Sequence, residues 1–176
     1  MRWSEIAEQD CSIAKALSVV GDRWTLLVLR EAFQRQRRFE DLQERTGAPR
    51  PVLAERLKLL VEHGVLERRR YSERPDRYEY RLTQKGLDLY PVIVSLAGWG
   101  DRWMTDGPVP VELRHRDCGE VVQPELACPS CGELVGARDM EPIFHRPHAA
   151  AGQGDSARHG ARSAPTKARA ASSTAR

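Results

Sequence analysis

The chain has 176 residues, of which 40% are hydrophobic and 30% charged, and its formal net charge is +3 with histidine neutral. Its longest uncharged apolar stretch, residues 89–100, is too short to cross a bilayer, and the acidic residues Glu5, Glu8 and Asp10 argue against a secretory signal. Four cysteines without an export signal favour a reducing, cytoplasmic location, where metal or redox chemistry is more common than disulfides.

Charge is distributed unevenly and predicts three segments. Residues 1–106 are nearly balanced, residues 107–145 carry seven acidic and three basic side chains, and residues 146–176 carry one acidic and six basic side chains. We therefore expect a main domain, a small acidic module and a basic tail. The tail lacks aromatic residues and every aliphatic residue larger than alanine apart from proline, so it is predicted to be disordered. Such a tail is either inert or loosely attracted to DNA phosphates.

Helices dominate the first segment. Apolar side chains recur at helical spacing, with Gly21 ending the first helix and Asp22 suited to N-cap the second. Pro49 and Pro51 fall in the first turn of the fourth helix, where a missing N–H is tolerated. The pattern predicts four helices, at residues 11–20, 23–33, 39–46 and 49–63.

The hydrophobic period then changes. Residues 65–71 and 78–82 are rich in β-formers, and the turn-forming residues 72–77 between them predict a β-hairpin with a charged tip. Thr83 is expected to cap a last helix over residues 84–104, which Pro91 can bend. The predicted fold is mainly α with a small β-hairpin (α+β), and this order of elements is that of a winged helix-turn-helix.

In a winged helix-turn-helix, the helix at residues 49–63 is expected to lie in the major groove and the hairpin to contact the backbone or minor groove. With Leu53, Leu57 and Leu60 facing the core, the opposite face points outward. Arginine is suited to guanine or phosphate, lysine to phosphate, and glutamate to a cytosine amine. The candidate DNA contacts are Arg38, Arg50, Pro51, Ala54, Glu55, Arg56, Lys58, Arg74 and Arg77.

Several stretches in this order resemble the HxlR-type winged helix-turn-helix transcriptional regulators. The resemblance covers about residues 10–105. It implies a cytoplasmic bacterial regulator, with repression the favoured role, that binds an inverted-repeat operator in double-stranded DNA as a homodimer through its N- and C-terminal helices. The matching stretches are Cys11, Gly21 to Leu27, Arg38 to Leu42, Val52 to Leu57, Arg74 to Tyr80, Leu82 to Gly86, and Trp99.

Cys11 matches the position of a thiol that some members of this family use to sense oxidants or electrophiles. Its predicted place at a helix start would favour the reactive thiolate, whereas the neighbouring Glu8 and Asp10 would oppose it. The alternative is a buried, unreactive cysteine.

A second motif lies in residues 107–145, where two similar hexapeptides begin at His115 and Cys128. Each carries two ligand-type residues separated by two others and followed by glycine, a spacing that allows both to bind one tetrahedral ion. The segment resembles a zinc ribbon with one structural zinc held by His115, Cys118, Cys128 and Cys131, and with no coordination position open for catalysis. A Cys118–Cys128 disulfide and a ribbon that has lost its metal are the alternatives.

Of three classes of function, the sequence favours the first. A DNA-binding regulator accounts for the basic residues of the helix and the hairpin. A protein-interaction adaptor, in which the winged helix no longer binds DNA, is the alternative. An enzyme is disfavoured, because no nucleophile–base pair, open metal site or phosphate-binding glycine loop is present in the sequence.

Overall fold

Six α-helices and one β-hairpin are formed by the residues described in this computed structural model, which are Glu8 and residues 10–145. The predicted basic tail lies outside the described residues. The elements are α1 (Ser12–Val20), α2 (Arg23–Phe33), α3 (Phe39–Thr46), α4 (Arg50–Glu62), β1 (Leu66–Glu73), β2 (Asp76–Leu82), α5 (Gln84–Leu87) and α6 (Tyr90–Met104). The predicted fold class is confirmed: the chain is mainly helical with a two-stranded antiparallel hairpin.

The helix boundaries follow from their capping residues. The Asp22 side chain accepts hydrogen bonds from the backbone N–H groups of Trp24, at 2.9 Å, and Thr25, at 3.3 Å, and so starts α2. Gly47 ends α3 in the left-handed region, at φ 69°, where a side chain would be strained. α3 and α4 are thereby joined by a short turn.

Only one face of α4 packs against the hydrophobic core. Leu53, Leu57 and Leu60 are fully buried, together with Leu42 of α3 and Val28 of α2. These positions repeat at helical spacing, as the sequence predicted. The opposite face of α4 is left at the surface.

The hairpin is longer than the sequence predicted. β1 and β2 pair from Leu66 opposite Leu82 to Glu73 opposite Asp76, with one irregularity near Tyr71, so the tight turn contains only two residues and the predicted six-residue turn is wrong. The segment before α3 pairs with the edge of β2, where the Tyr80 N–H donates to the Arg37 carbonyl at 2.7 Å. The hairpin is therefore fixed to the helix-turn-helix along its base.

The predicted single helix over residues 84–104 is also wrong, because Asp88 and Leu89 separate α5 from α6. Pro91 lies in the first turn of α6, where its missing N–H is not needed, so a new helix starts there. α5 packs closely on the hairpin at Gly86, where a Cβ would collide with the Val65 carbonyl oxygen.

Residues 105–145 contain no helix or named strand, and are organised by turns and two isolated β-bridges. The Gln123 side chain lies directly against Gly98 of α6, where a Cβ would collide with its amide nitrogen. The described residues up to Ile143 belong to one compact unit, and the predicted boundaries after residues 106 and 145 stay predictions. None of the helices in the described part combines the length and apolar character that a bilayer crossing needs.

Candidate functional site

The exposed face of α4 carries most of the predicted DNA contacts on that helix. Arg50, Pro51, Ala54, Glu55 and Lys58 are all exposed. Lys58 lies 3.6 Å from Glu62 in an exposed i,i+4 ion pair, which contributes little stability and can open to meet another anion. The N-cap of α4 is Pro49, which offers no side-chain hydrogen bond to the first turn. The backbone N–H groups of the first turn that have no capping partner therefore add positive electrostatic potential at the N-terminus of α4.

Arg56, in contrast, does not lie on this face. Its side chain is only 23% exposed; its Nε is 3.9 Å from the Asp22 carboxylate and its Nη2 is 2.9 Å from Glu55. A step of about 100° per residue turns position 56 away from the exposed face and toward the start of α2. Arg56 therefore lies beside the exposed face, between α4 and the cap of α2, and its contact with DNA stays a prediction.

Two stacked arginine–aromatic pairs connect the start of α4 to the hairpin. The Arg50 guanidinium lies 4.6 Å from the centre of the Phe39 ring, and its Nη1 is 3.4 Å from the Gln43 amide oxygen. The Arg38 guanidinium lies 5.1 Å from the centre of the Tyr71 ring on β1. Because Arg38 and Phe39 are adjacent, the two pairs join α4, α3 and the hairpin. Sequence reasoning missed both aromatic residues as stacking partners, because each lies far along the chain from the arginine that stacks on it.

The hairpin divides its arginines into two groups. Arg70 pairs with Asp76 and donates to nearby carbonyl groups, and Arg68 stacks 3.6 Å from the centre of the Tyr78 ring, so both are used within the hairpin. Within the described residues, no ion pair involves the exposed Arg69, Arg74 or Arg77. Arg74 and Arg77, predicted from the sequence, and Arg69, which was missed, are therefore available to an anionic partner.

Cys11 is the N-cap residue of α1 and is partly exposed. Its carbonyl accepts a hydrogen bond from Lys15 N–H at 3.0 Å, and its side chain makes no cap hydrogen bond. Cys11 forms no disulfide within the described residues, and its predicted redox role stays a prediction.

The four predicted metal ligands lie in two turns of matching geometry. His115 N–H donates to the Glu120 carbonyl at 2.9 Å, and Cys128 N–H donates to the Glu133 carbonyl at 2.8 Å. Gly119 and Gly132 close the turns in the left-handed region, at φ 77° and 78°, and each donates back to the first residue of its turn. The two hexapeptides therefore share one backbone conformation, in which the two ligand-type side chains of each turn point to the same side.

Each turn brings its own pair of side chains together. His115 Nδ1 is 3.3 Å from Cys118 Sγ. Backbone N–H groups of Cys131 and Ser130 hydrogen-bond to the Cys128 sulfur and lower the pKa of that thiol, together with the neighbouring Cys131 side chain. Between the two turns, however, the described residues contain no cluster of three or more His, Cys, Asp or Glu side chains able to hold a metal ion. The two pairs are therefore formed separately.

α6 exposes a row of large apolar side chains. Val92, Leu96, Trp99 and Trp103 are 49%, 49%, 57% and 64% exposed. Their spacing of four, three and four residues is that of a helix–helix seam. The inward side of α6 is formed by the buried residues Val94 and Gly98.

Comparisons with known proteins agree on one class. The family model for the HxlR-like helix-turn-helix matches residues 19–126. An uncharacterised HTH-type transcriptional regulator of Mycobacterium tuberculosis is 50% identical over 133 residues, which are 74% of this chain and 84% of that protein. The crystal structure of PA1607, a proposed transcription factor, superposes with a TM-score of 0.70 at 34% identity over 80% of this chain and 98% of that one. A second proposed transcription factor, from Pseudomonas aeruginosa, gives a TM-score of 0.55 at 35% identity over 80% of this chain and 96% of that one.

Proposed function

The chain belongs to the HxlR-like helix-turn-helix family of transcriptional regulators, which are not enzymes, and on this premise we propose that it is a sequence-specific DNA-binding protein, acting in the cytoplasm on the nucleoid. In this proposal a homodimer binds the two halves of an inverted-repeat operator and represses transcription. α4 enters the major groove, and the tip of the hairpin contacts the flanking backbone or minor groove.

The stacked pairs Arg50–Phe39 and Arg38–Tyr71 are the observation that carries this proposal. They join the exposed start of α4 to the hairpin, so that a duplex lying along α4 would also meet β1. Stacking restricts the guanidinium groups while leaving most of their N–H donors free, which lowers the entropy lost on binding phosphate. The unpaired Arg74 and Arg77 are exposed at the tip of the same hairpin, where they could contact the flanking phosphates.

Selection of duplexes from a random pool by the purified protein tests DNA binding directly. We expect enrichment of an inverted repeat, with an affinity for that duplex that falls as salt rises from 50 to 200 mM, by about 10³–10⁵ if each dimer neutralises six to ten phosphates. No enrichment, together with no salt-dependent binding to any duplex, would reject the proposal. That result would favour the adaptor.

Removing the two arginines at the tip of the hairpin should weaken binding without changing which sequence is bound. In the variant Arg74→Ala/Arg77→Ala, the slope of log affinity against log salt should fall by about one unit for each phosphate that the protein no longer neutralises. The matched control is Arg138→Ala, which removes a positive charge from the acidic segment. A wild-type slope in the double variant would show that the hairpin tip does not touch DNA.

The exposed row on α6 supports the homodimer. Four large apolar side chains in a row along one helix are rarely left exposed to water. A second copy of α6 packed against this row would bury them. α1 offers two further exposed apolar residues four apart, Ile13 and Leu17. Both helices are those through which the family is expected to dimerise.

We also propose that residues 107–145 bind one structural zinc ion through His115, Cys118, Cys128 and Cys131. Zinc bound tetrahedrally by one nitrogen and one sulfur would hold those atoms about 3.5 Å apart. The observed separation of 3.3 Å between His115 Nδ1 and Cys118 Sγ is close to that value. The lowered pKa of the Cys128 thiol favours the thiolate that zinc requires. Because the two turns are formed separately, binding would have to draw them together, and the binding energy would stabilise this coreless segment.

Elemental measurement of zinc in the purified protein tests this site. We expect about one zinc ion per chain, lost in Cys128→Ser, with residues 107–145 becoming more accessible to protease. Cys11→Ser is the matched control and should keep its zinc. Acidification should release the ion, since protons compete for the thiolates and the imidazole. Equal zinc content in wild type and Cys128→Ser would reject the assignment, and a shortage of two free thiols without zinc would favour the disulfide.

A further inference from the structure

A pocket of about 400 Å³ lies between the end of α2 and the base of the hairpin, away from the exposed face of α4. Its inner wall is formed by partly buried apolar and aromatic side chains, namely Ala32, Phe33, Tyr80 and Leu82. The Phe33 ring also packs on the Tyr90 ring, at a centre-to-centre distance of 5.2 Å, where α6 begins. The volume is within the range that small organic ligands occupy in proteins.

The rim of this pocket is positively charged. Arg35, Arg37 and Arg81 line it, against one carboxylate, Glu67. Arg81 is held by Glu79 through contacts of 2.7 Å. Arg35 and Arg37 form no ion pair with any residue that the structure describes. Two guanidinium groups at the mouth are therefore unneutralised.

Arg35 also carries a strained backbone. It lies at φ 67°, and no other described residue except glycine has a positive φ. It follows the end of α2, where its N–H donates to the Ala32 carbonyl at 3.0 Å, a position usually taken by glycine. Arginine at this position therefore lowers the stability of the fold relative to glycine. Strain of this kind is typical of residues that have a role in binding.

We propose that this pocket binds a small organic anion with an aromatic body and one carboxylate. The ring would lie between Phe33 and Tyr80, and the carboxylate would receive charge-assisted hydrogen bonds from Arg35 and Arg37. The site contacts α2, the hairpin and, through Tyr90, the start of α6. None of its lining residues is among those assigned to DNA or zinc, so binding of the anion can be tested separately from both functions.

Calorimetric titration of the full-length protein with naphthoate tests the proposal. We expect saturable binding of naphthoate and much weaker binding of naphthamide, which has the same body without the charge. Inorganic phosphate, which has the charge without the body, should also bind much more weakly. Arg37→Gln should weaken naphthoate binding by about tenfold or more. Arg69→Gln, which removes an exposed arginine from the same hairpin outside the pocket, should leave it unchanged.

Arg35→Gly separates binding from folding. Because glycine adopts a positive φ without strain, this variant should melt a few degrees higher than wild type while losing affinity for naphthoate. Three outcomes would overturn the proposal: no saturable binding of naphthoate, phosphate binding as tight as naphthoate binding, or unchanged naphthoate affinity in both Arg35→Gly and Arg37→Gln. The last would show that the anion binds elsewhere.

Discussion

Replacing Trp103 by glutamate is expected to convert the proposed homodimer into monomers and to weaken operator binding by about 10²–10⁴-fold. Trp103 is 64% exposed in the row of apolar side chains on α6, and a charge there would be buried without a partner if two copies paired. Each half-site would then be bound by a separate monomer, without the gain in affinity that comes from linking two DNA-binding domains in one dimer. Sedimentation velocity gives the oligomeric state, and fluorescence anisotropy on the selected duplex gives the affinity.

Trp103→Phe is the control for this substitution, because it keeps an apolar ring and should stay dimeric. Unfolding must also be followed, since loss of the fold would abolish binding by another route. If Trp103→Glu remains dimeric and keeps its operator affinity, the row on α6 is not the interface. A homodimer would then have to form through other residues.

Leu57→Ala is expected to lower the free energy of unfolding by about 2–5 kcal/mol. Leu57 is fully buried and holds the inner face of α4 in the core, so the truncation leaves a cavity beneath the helix that is proposed to read DNA. Urea unfolding followed by circular dichroism measures the change. The matched control is the neighbouring exposed residue in Lys58→Ala, which should change stability by no more than about 0.5 kcal/mol. Equal losses of stability in the two variants would mean that α4 is not held through this face.

The helices and the exposed face of α4 were predictable because they depend on local signals. Three leucines at helical spacing fix which side of α4 faces inward, and Asp22 is a strong cap wherever it precedes a helix. The proximity of Arg56 to Asp22 was not predictable, because the two residues are distant in sequence and helical periodicity does not show which helices pack together. The same limit hid the stacking of Arg38 on Tyr71.

Other differences have equally specific causes. The division between α5 and α6 was not predictable because Pro91 is compatible either with a bend or with the first turn of a new helix. In α6 both the inward side, with Val94, and the outward side, with Leu96, are apolar, so hydrophobic period alone could not tell them apart. The pocket beside Arg35 was not visible in the sequence, because three separate segments meet to form it.

The contact between Gly98 and Gln123 lets the acidic extension approach α6 closely. Because residue 98 has no side chain, the amide of Gln123 reaches α6 directly, and an added methyl group there would require that side chain to move. Both ligand-bearing turns would keep their own hydrogen bonds, since neither includes residue 98 or residue 123. The geometry of each proposed ligand pair is thus set within its own turn, so a substitution at residue 98 should alter how the extension meets α6 and leave both pairs intact.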